Sequence, residues 1–115
     1  MTAREKIAIA PSDRASRQTV RPVEALSADR VLTLAEVEQW QTVAFSLAAA
    51  RNLDLPPVGQ CQGVYLHITN ATAATFALTV RDAAAATVVA IPAAAVNRSA
   101  KVWCDGGRWY SLLGA

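Results

Sequence analysis

The sequence predicts an all-β fold: an antiparallel β-sandwich or jelly-roll-like domain preceded by an extended N-terminal arm. Three observations predict it. After residue 50, short runs of alternating apolar and polar residues recur, most of them closed by Pro, Gly or Asn. No long helical crossover separates the runs, which argues against a parallel sheet. All seven aromatic residues (Trp40, Phe45, Tyr65, Phe76, Trp103, Trp109, Tyr110) follow residue 39. Each large apolar side chain buried contributes roughly 1.5–3 kcal/mol, so the core must come from the later part of the chain. The 115 residues leave room for one such domain, placed at residues 31–115.

Residues 1–30 read as the arm. Pro11, Ser12, Asp13, Ser16, Pro22 and Ser27 break any periodicity, and Ile7, Ile9, Val20, Val23 and Leu26 are scattered. Only Lys6-Ile7-Ala8-Ile9-Ala10 has strand character, with both isoleucines on one face. Such a strand could add to a partner's sheet edge; a solvated tail is the plain alternative. Next, Thr33-Leu34-Ala35-Glu36 matches a helix capping box, and Leu34, Val37, Trp40, Ala44 and Leu47 continue at helical spacing. Over residues 42–47, however, Val43, Phe45 and Leu47 alternate as in a strand, and the β-branched and aromatic content favours one. Both patterns cannot hold over the same residues.

The remaining runs are strands. Asn52-Leu53-Asp54-Leu55 alternates and stops at Pro56-Pro57, where the ladder loses its donors. Val64, Leu66 and Ile68 share one face of the next run; Tyr65, His67 and Thr69 share the other. Phe76, Leu78 and Val80 point inward, and residues 87–91 end at Pro92. The run Ala100-Lys101-Val102-Trp103-Cys104 meets Asp105-Gly106-Gly107, a hairpin signal because glycine supplies the positive φ a tight turn needs. Arg108-Trp109-Tyr110-Ser111-Leu112-Leu113 completes the hairpin.

Charge and motif content narrow the function. Residues 1–30 carry six cations against four anions, whereas residues 31–115 carry five of each. That weak, interleaved excess does not suit nucleic acid, which calls for a clustered basic face. No signal peptide is visible, and the longest apolar run, residues 83–96, contains Thr87 and Pro92 and falls short of the roughly 18 residues of a membrane span. Cys61 and Cys104 lack metal-ligand spacing and read as buried thiols, with a disulfide left open. His67 is the sole histidine, Glu36 has a capping role, and Asp105 suits its turn on backbone grounds. No catalytic, metal or cofactor residues are therefore nominated, and an enzyme is not expected. Trp103, Trp109 and Tyr110 lie on one hairpin. They could form a glycan-stacking face or a subunit interface, with at least one anchoring the core.

The run from Ala100 to Tyr110 resembles a pattern of tailed-bacteriophage virion proteins, in which an apolar strand ends in a Cys/Ser-Asp-Gly turn followed by Trp or Trp-Tyr. Upstream, Leu34-Ala35-Glu36 stands where the pattern has a short helical turn. Residues 42–47 fall on its next strand, and Arg51-Asn52-Leu53-Asp54-Leu55-Pro56 on a strand ending in Leu-Pro. The resemblance spans about residues 31–113; Trp40 departs from it, since a glycine or small polar residue is commoner there. It implies a helical turn over residues 34–40, a strand over 42–47, and a capsid decoration (cement) or head-fibre type β-module. On that reading the protein is made in the host cytoplasm and sits on the capsid surface of a virion, probing no nucleic acid or membrane. Its partners would be the major capsid protein and itself, as a homotrimer. Ile7, Ile9, Arg14, Arg17, Val20, Arg21 and Val23 would form the capsid-binding arm. The alternative is a head-spike or tail-fibre module with a Trp-rich glycan-binding face.

Overall fold

A computed structural model describes residues 18–72, 75–93 and 98–114 of the protein. The strands are β1 (Gln18–Val20), β2 (Glu24–Leu26), β3 (Arg30–Val31), β4 (Trp40–Leu47), β5 (Arg51–Asp54), β6 (Tyr65–Asn70), β7 (Leu78–Arg81), β8 (Thr87–Ile91), β9 (Ser99–Cys104) and β10 (Trp109–Gly114). One short helix, α1 (Leu34–Gln39), precedes β4, and a 3-10 turn (Val58–Gln60) follows β5. The fold is mostly β, in two sheets. The larger runs β1–β4–β6–β9–β10, with β2 also on β4; the smaller runs β3–β5–β7–β8.

The competing patterns of residues 33–47 are both used, one after the other. Thr33 Oγ1 accepts the Glu36 amide at 3.2 Å and Glu36 Oε1 accepts the Thr33 amide at 2.9 Å, closing the capping box. The helix makes little more than one turn and buries Val37. At Trp40 the backbone is already extended, and Val43, Phe45 and Leu47 of β4 turn inward.

Strand direction differs from the expected antiparallel arrangement. β4 pairs in parallel with β6, β5 with β7, β1 and β2 with β4, and β3 with β5; β6–β9, β9–β10 and β7–β8 are antiparallel. Both sheets are therefore mixed. Parallel neighbours need a crossover, and a helix is its usual form. Here a strand of the other sheet serves instead: the chain passes from β4 through β5 to β6, and from β5 through β6 to β7. The middle of the chain is thus wound as a coil, and only after β7 do hairpins take over.

Residues 18–30, assigned above to the arm, form the first turn of that coil. β1 and β2 lie along the same edge of β4, where Val20 is opposite Thr42 and Glu24 opposite Phe45. Four steps on one strand match three on the other, so the edge is bulged. Pro22, which has no N–H, stands in the bulge, and the Arg21 amide donates to the Thr42 carbonyl at 3.0 Å just before it. Leu26 is buried in the core. The boundary at residue 30 therefore does not divide the chain structurally: periodicity cannot reveal strands of two or three residues. Ile7, Ile9, Arg14 and Arg17 lie outside the described residues.

Both sheets contribute to one core, in which Phe45, Leu53, Leu66, Ile68, Leu78, Val80, Ile91 and Val102 are fully buried. Asn70 is buried among them with its side chain satisfied. Its Nδ2 donates to the carbonyls of Phe76 (2.8 Å) and Ile91 (3.0 Å), and its Oδ1 accepts from the Thr72 amide (3.2 Å) and hydroxyl (2.6 Å). Thr72 Oγ1 in turn accepts the Leu47 amide at 2.9 Å. This network ties β4 and β6 of one sheet to β8 of the other. At the surface, Arg30 bridges Glu24 and Glu36, and Arg81 makes a two-pronged pair with Asp54 across β5–β7 at 2.7 and 3.0 Å.

Candidate functional site

Alternation fixes which side chains the larger sheet shows outward. Leu66, Ile68 and Asn70 of β6 and Ala100, Val102 and Cys104 of β9 are buried, so the residues between them face away from the core. Register then lines them up in rows. Tyr65 is opposite Trp103, which is opposite Tyr110. One step along, Thr42, His67, Lys101 and Leu112 form a second row across β4, β6, β9 and β10. Consecutive rows are about 7 Å apart, two residues of rise.

The first row is aromatic. Trp103 and Tyr110 stack with centroids 5.9 Å apart and planes 19° from parallel. Tyr110 is held from beyond the turn: its hydroxyl donates to Asp105 Oδ2 at 2.8 Å, and the Arg108 guanidinium lies 5.2 Å from its ring centroid. Asp105 Oδ1 accepts the amides of Gly107 (2.8 Å) and Arg108 (3.0 Å), while Gly106 takes the positive φ of 93° that the turn needs. The Gly107 amide and the Tyr110 hydroxyl hold the Asp105 carboxyl below its ordinary pKa, and the phenol is raised in return. The turn aspartate thereby sets the pitch of the aromatic row.

The second row is polar and basic. Lys101 Nζ lies 5.6 Å from the Tyr65 ring centroid, and Gln41 Nε2 donates to the Tyr65 hydroxyl at 2.6 Å. Three contiguous hollows open on this face, of about 410, 200 and 240 Å³. Lys101 borders all three, and among the described residues no Asp or Glu lines any of them. Tyr65, Trp103 and Leu112 are exposed. Among the described residues such a face offers ring surfaces, the Lys101 cation and several hydrogen-bonding groups.

Of the residues expected to make a glycan or subunit face, Trp103 and Tyr110 are on it. Trp109 is not. It is buried, with Nε1 donating to the Pro56 carbonyl at 3.2 Å, and belongs to the core. The reason is parity: Trp109 is opposite Cys104, an inward residue, so it must point inward too. Tyr65, His67, Lys101 and Leu112 were not nominated from the sequence. The alternation of residues 64–69 puts Tyr65 and His67 on one face, opposite Val64, Leu66 and Ile68, but only burial and sheet order show that this face is the outer one and that β9 and β10 extend it.

Of the expected capsid-binding residues within the described chain, Val20 and Val23 are exposed at the edge formed by β1 and β2. Arg21 is engaged within the domain, paired with Glu24 and 6.0 Å from the Trp40 ring centroid. Cys61 and Cys104 are buried free thiols, and burial pushes Cys61 up to about 11. Among the described residues no three His, Cys, Asp or Glu side chains group as a metal site would require, and no helix is long and apolar enough to cross a membrane. No family model, no curated protein and no solved structure matches the chain.

Proposed function

We propose that the protein is a non-enzymatic structural module, a sandwich-like decoration protein that attaches to the outside of a phage-like capsid. One observation carries the reading. The first turn of the coil ends both sheets in short edge strands, and Val20, Val23 and Val31 on it are each more than half exposed. Isolated exposed valines are ordinary, but Val20 and Val31 on edge strands of the two sheets, with Val23 in the link between β1 and β2, offer apolar surface that another chain could cover. The stretch immediately upstream contains the isoleucine pair Ile7 and Ile9, which suits strand addition to a partner. Residues 1–17 and this edge together form the attachment region, and the major capsid protein is the partner.

The test must spare the domain. Removing residues 1–30 would tear out Leu26 and the Arg30 bridge, so the informative truncation removes residues 1–17 only. The full chain is expected in purified phage-like particles by mass spectrometry and to sediment with capsids assembled from the major capsid protein of those particles. Loss of residues 1–17, or Val20→Asp with Val23→Asp, should abolish co-sedimentation while the unfolding midpoint holds. Undiminished binding by both variants would end the proposal.

A further inference from the structure

We infer that the outer face of the larger sheet is a carbohydrate site for an acidic sugar, with Trp103 and Tyr65 taking the ring and Lys101 the carboxylate. The binding residues Tyr65, Trp103 and Lys101 lie on β6 and β9, apart from the attachment edge on β1–β3, although the second hollow reaches Gln41 and Thr42 of β4, which borders that edge.

Three features select this ligand. The first is shape. The hollow bordered by Tyr65, Lys101, Trp103 and Leu112 is about 410 Å³, within the range of small-molecule clefts, and the Tyr65 and Trp103 rings are part of its wall. A pyranose has an apolar C–H face that packs on such rings and a hydroxylated rim that needs partners. The second feature supplies those partners. The adjoining hollow is lined by Gln41, Thr42, Tyr65, His67 and Lys101, whose side chains offer both donors and acceptors. The rows stand about 7 Å apart, comparable to the width of one sugar ring, so a ring on the first row puts its substituents over the second.

The third feature is charge. Lys101 is the cation common to all three hollows, and among the described residues no Asp or Glu lines them. Among the described residues no carboxylate is paired with it; its neighbour is the Tyr65 ring. An anionic substituent is the complement of that arrangement. A nucleic-acid strand also combines anions with stacking bases, but it needs a run of cations along its backbone. These hollows offer one.

Titration of the full chain with glucuronic acid and N-acetylneuraminic acid, and with glucose as the neutral control, tests the assignment. Chemical-shift changes in the amides of β6 and β9 and tryptophan fluorescence are the readouts. Saturable binding of at least one acid is expected, with glucose weaker by roughly tenfold or more, the difference a charge-assisted hydrogen bond makes. Lys101→Gln should remove the preference for the acid, and Trp103→Ala should remove binding of both. The same fold in each variant is checked by its circular dichroism spectrum and by a cooperative unfolding transition. Binding of glucose as tight as the acids, an acid preference that survives Lys101→Gln, or no saturation with any of the three would overturn the site. So would self-association of the full chain that Trp103→Ala abolishes, which would give the face to a second copy. Capsid co-sedimentation by the Lys101→Gln variant is read separately; its loss or survival bears on attachment alone.

Discussion

Replacing Asn70 tests the most specific claim about how the two sheets are held together. Asn70→Ala leaves the carbonyls of Phe76 and Ile91 without their donor and the Thr72 amide and hydroxyl without their acceptor. The hydroxyl can rotate, so three buried groups carry the loss. At about 1–3 kcal/mol for each buried group left unpaired, with one water admitted to the vacated polar space, we expect roughly 3–5 kcal/mol of destabilisation. That is a large share of the ~5–15 kcal/mol typical of a domain. Asn70→Asp sharpens the point. It keeps the shape but turns an acceptor toward two carbonyls, so only the protonated acid can donate. The folded state then binds the proton more tightly than the unfolded state, and the folded pKa rises above about 3.9. Stability is highest below that value and falls as pH rises toward the folded pKa. Urea unfolding followed by circular dichroism, from pH 3 to 8, measures both effects. A loss under about 1 kcal/mol for Asn70→Ala with unchanged m-value, or an Asp variant whose stability does not fall with pH, would refute the reasoning.

Other expectations follow from single positions. Ala85 takes a φ of 68° in the β7–β8 turn, a conformation costing about 1 kcal/mol for a residue with a Cβ. Ala85→Gly should therefore raise stability by about 0.5 kcal/mol after the extra freedom of the unfolded chain is deducted, and a lowered urea midpoint would contradict this. Trp109→Ala should cost about 3–5 kcal/mol as a core truncation, whereas Trp103→Ala should cost about 1 kcal/mol, the worth of its stack. Equal costs would mean the two indoles are not on opposite sides. Glu36 is held down to about 2, chiefly by its hydrogen bonds to Arg30 and further by the Thr33 amide. A depressed carboxyl stabilises above its unfolded pKa and loses that contribution as pH falls toward 2, so the wild type should lose about 1 kcal/mol there, the site being partly open to solvent. Glu36→Gln should flatten that limb; an unchanged acid limb would place the pH dependence elsewhere.

Local chemistry announced the elements well and their partners poorly. The Asp105-Gly106-Gly107 turn, the Thr33–Glu36 cap and the alternation of β6 and β9 each depend on neighbours within a few residues, and each stands where the residues predict. Strand direction depends on which strand lies alongside, and nothing local encodes that. β4 and β6 alternate the same way whether they run parallel or not. β1, β2 and β3 escaped notice because two or three residues carry no period, and the scattered Val20, Val23 and Leu26 gain meaning only beside β4. The outer face is half visible in the sequence: Trp103 and Tyr110 stand out, with Trp109, as aromatics on one hairpin, while Lys101 and His67 join them only through register. Trp109 shows the same limit from the other side, since its inward direction follows from Cys104 across the hairpin.

The winding of the middle strands has a consequence for the order in which the molecule assembles. Partners such as Thr42 and His67, or Leu53 and Val80, are more than twenty positions apart, so each layer closes a large loop before it gains contacts. The C-terminal hairpin β9–β10 closes a small one and can form early, giving β6 a template, after which β4 and finally β1 and β2 can be laid down. Growth then runs backwards along the chain, against the direction of synthesis. The ribosome releases the valine-bearing layer first and the surface that receives it afterwards, so on this loop-closure argument that layer is the last to close.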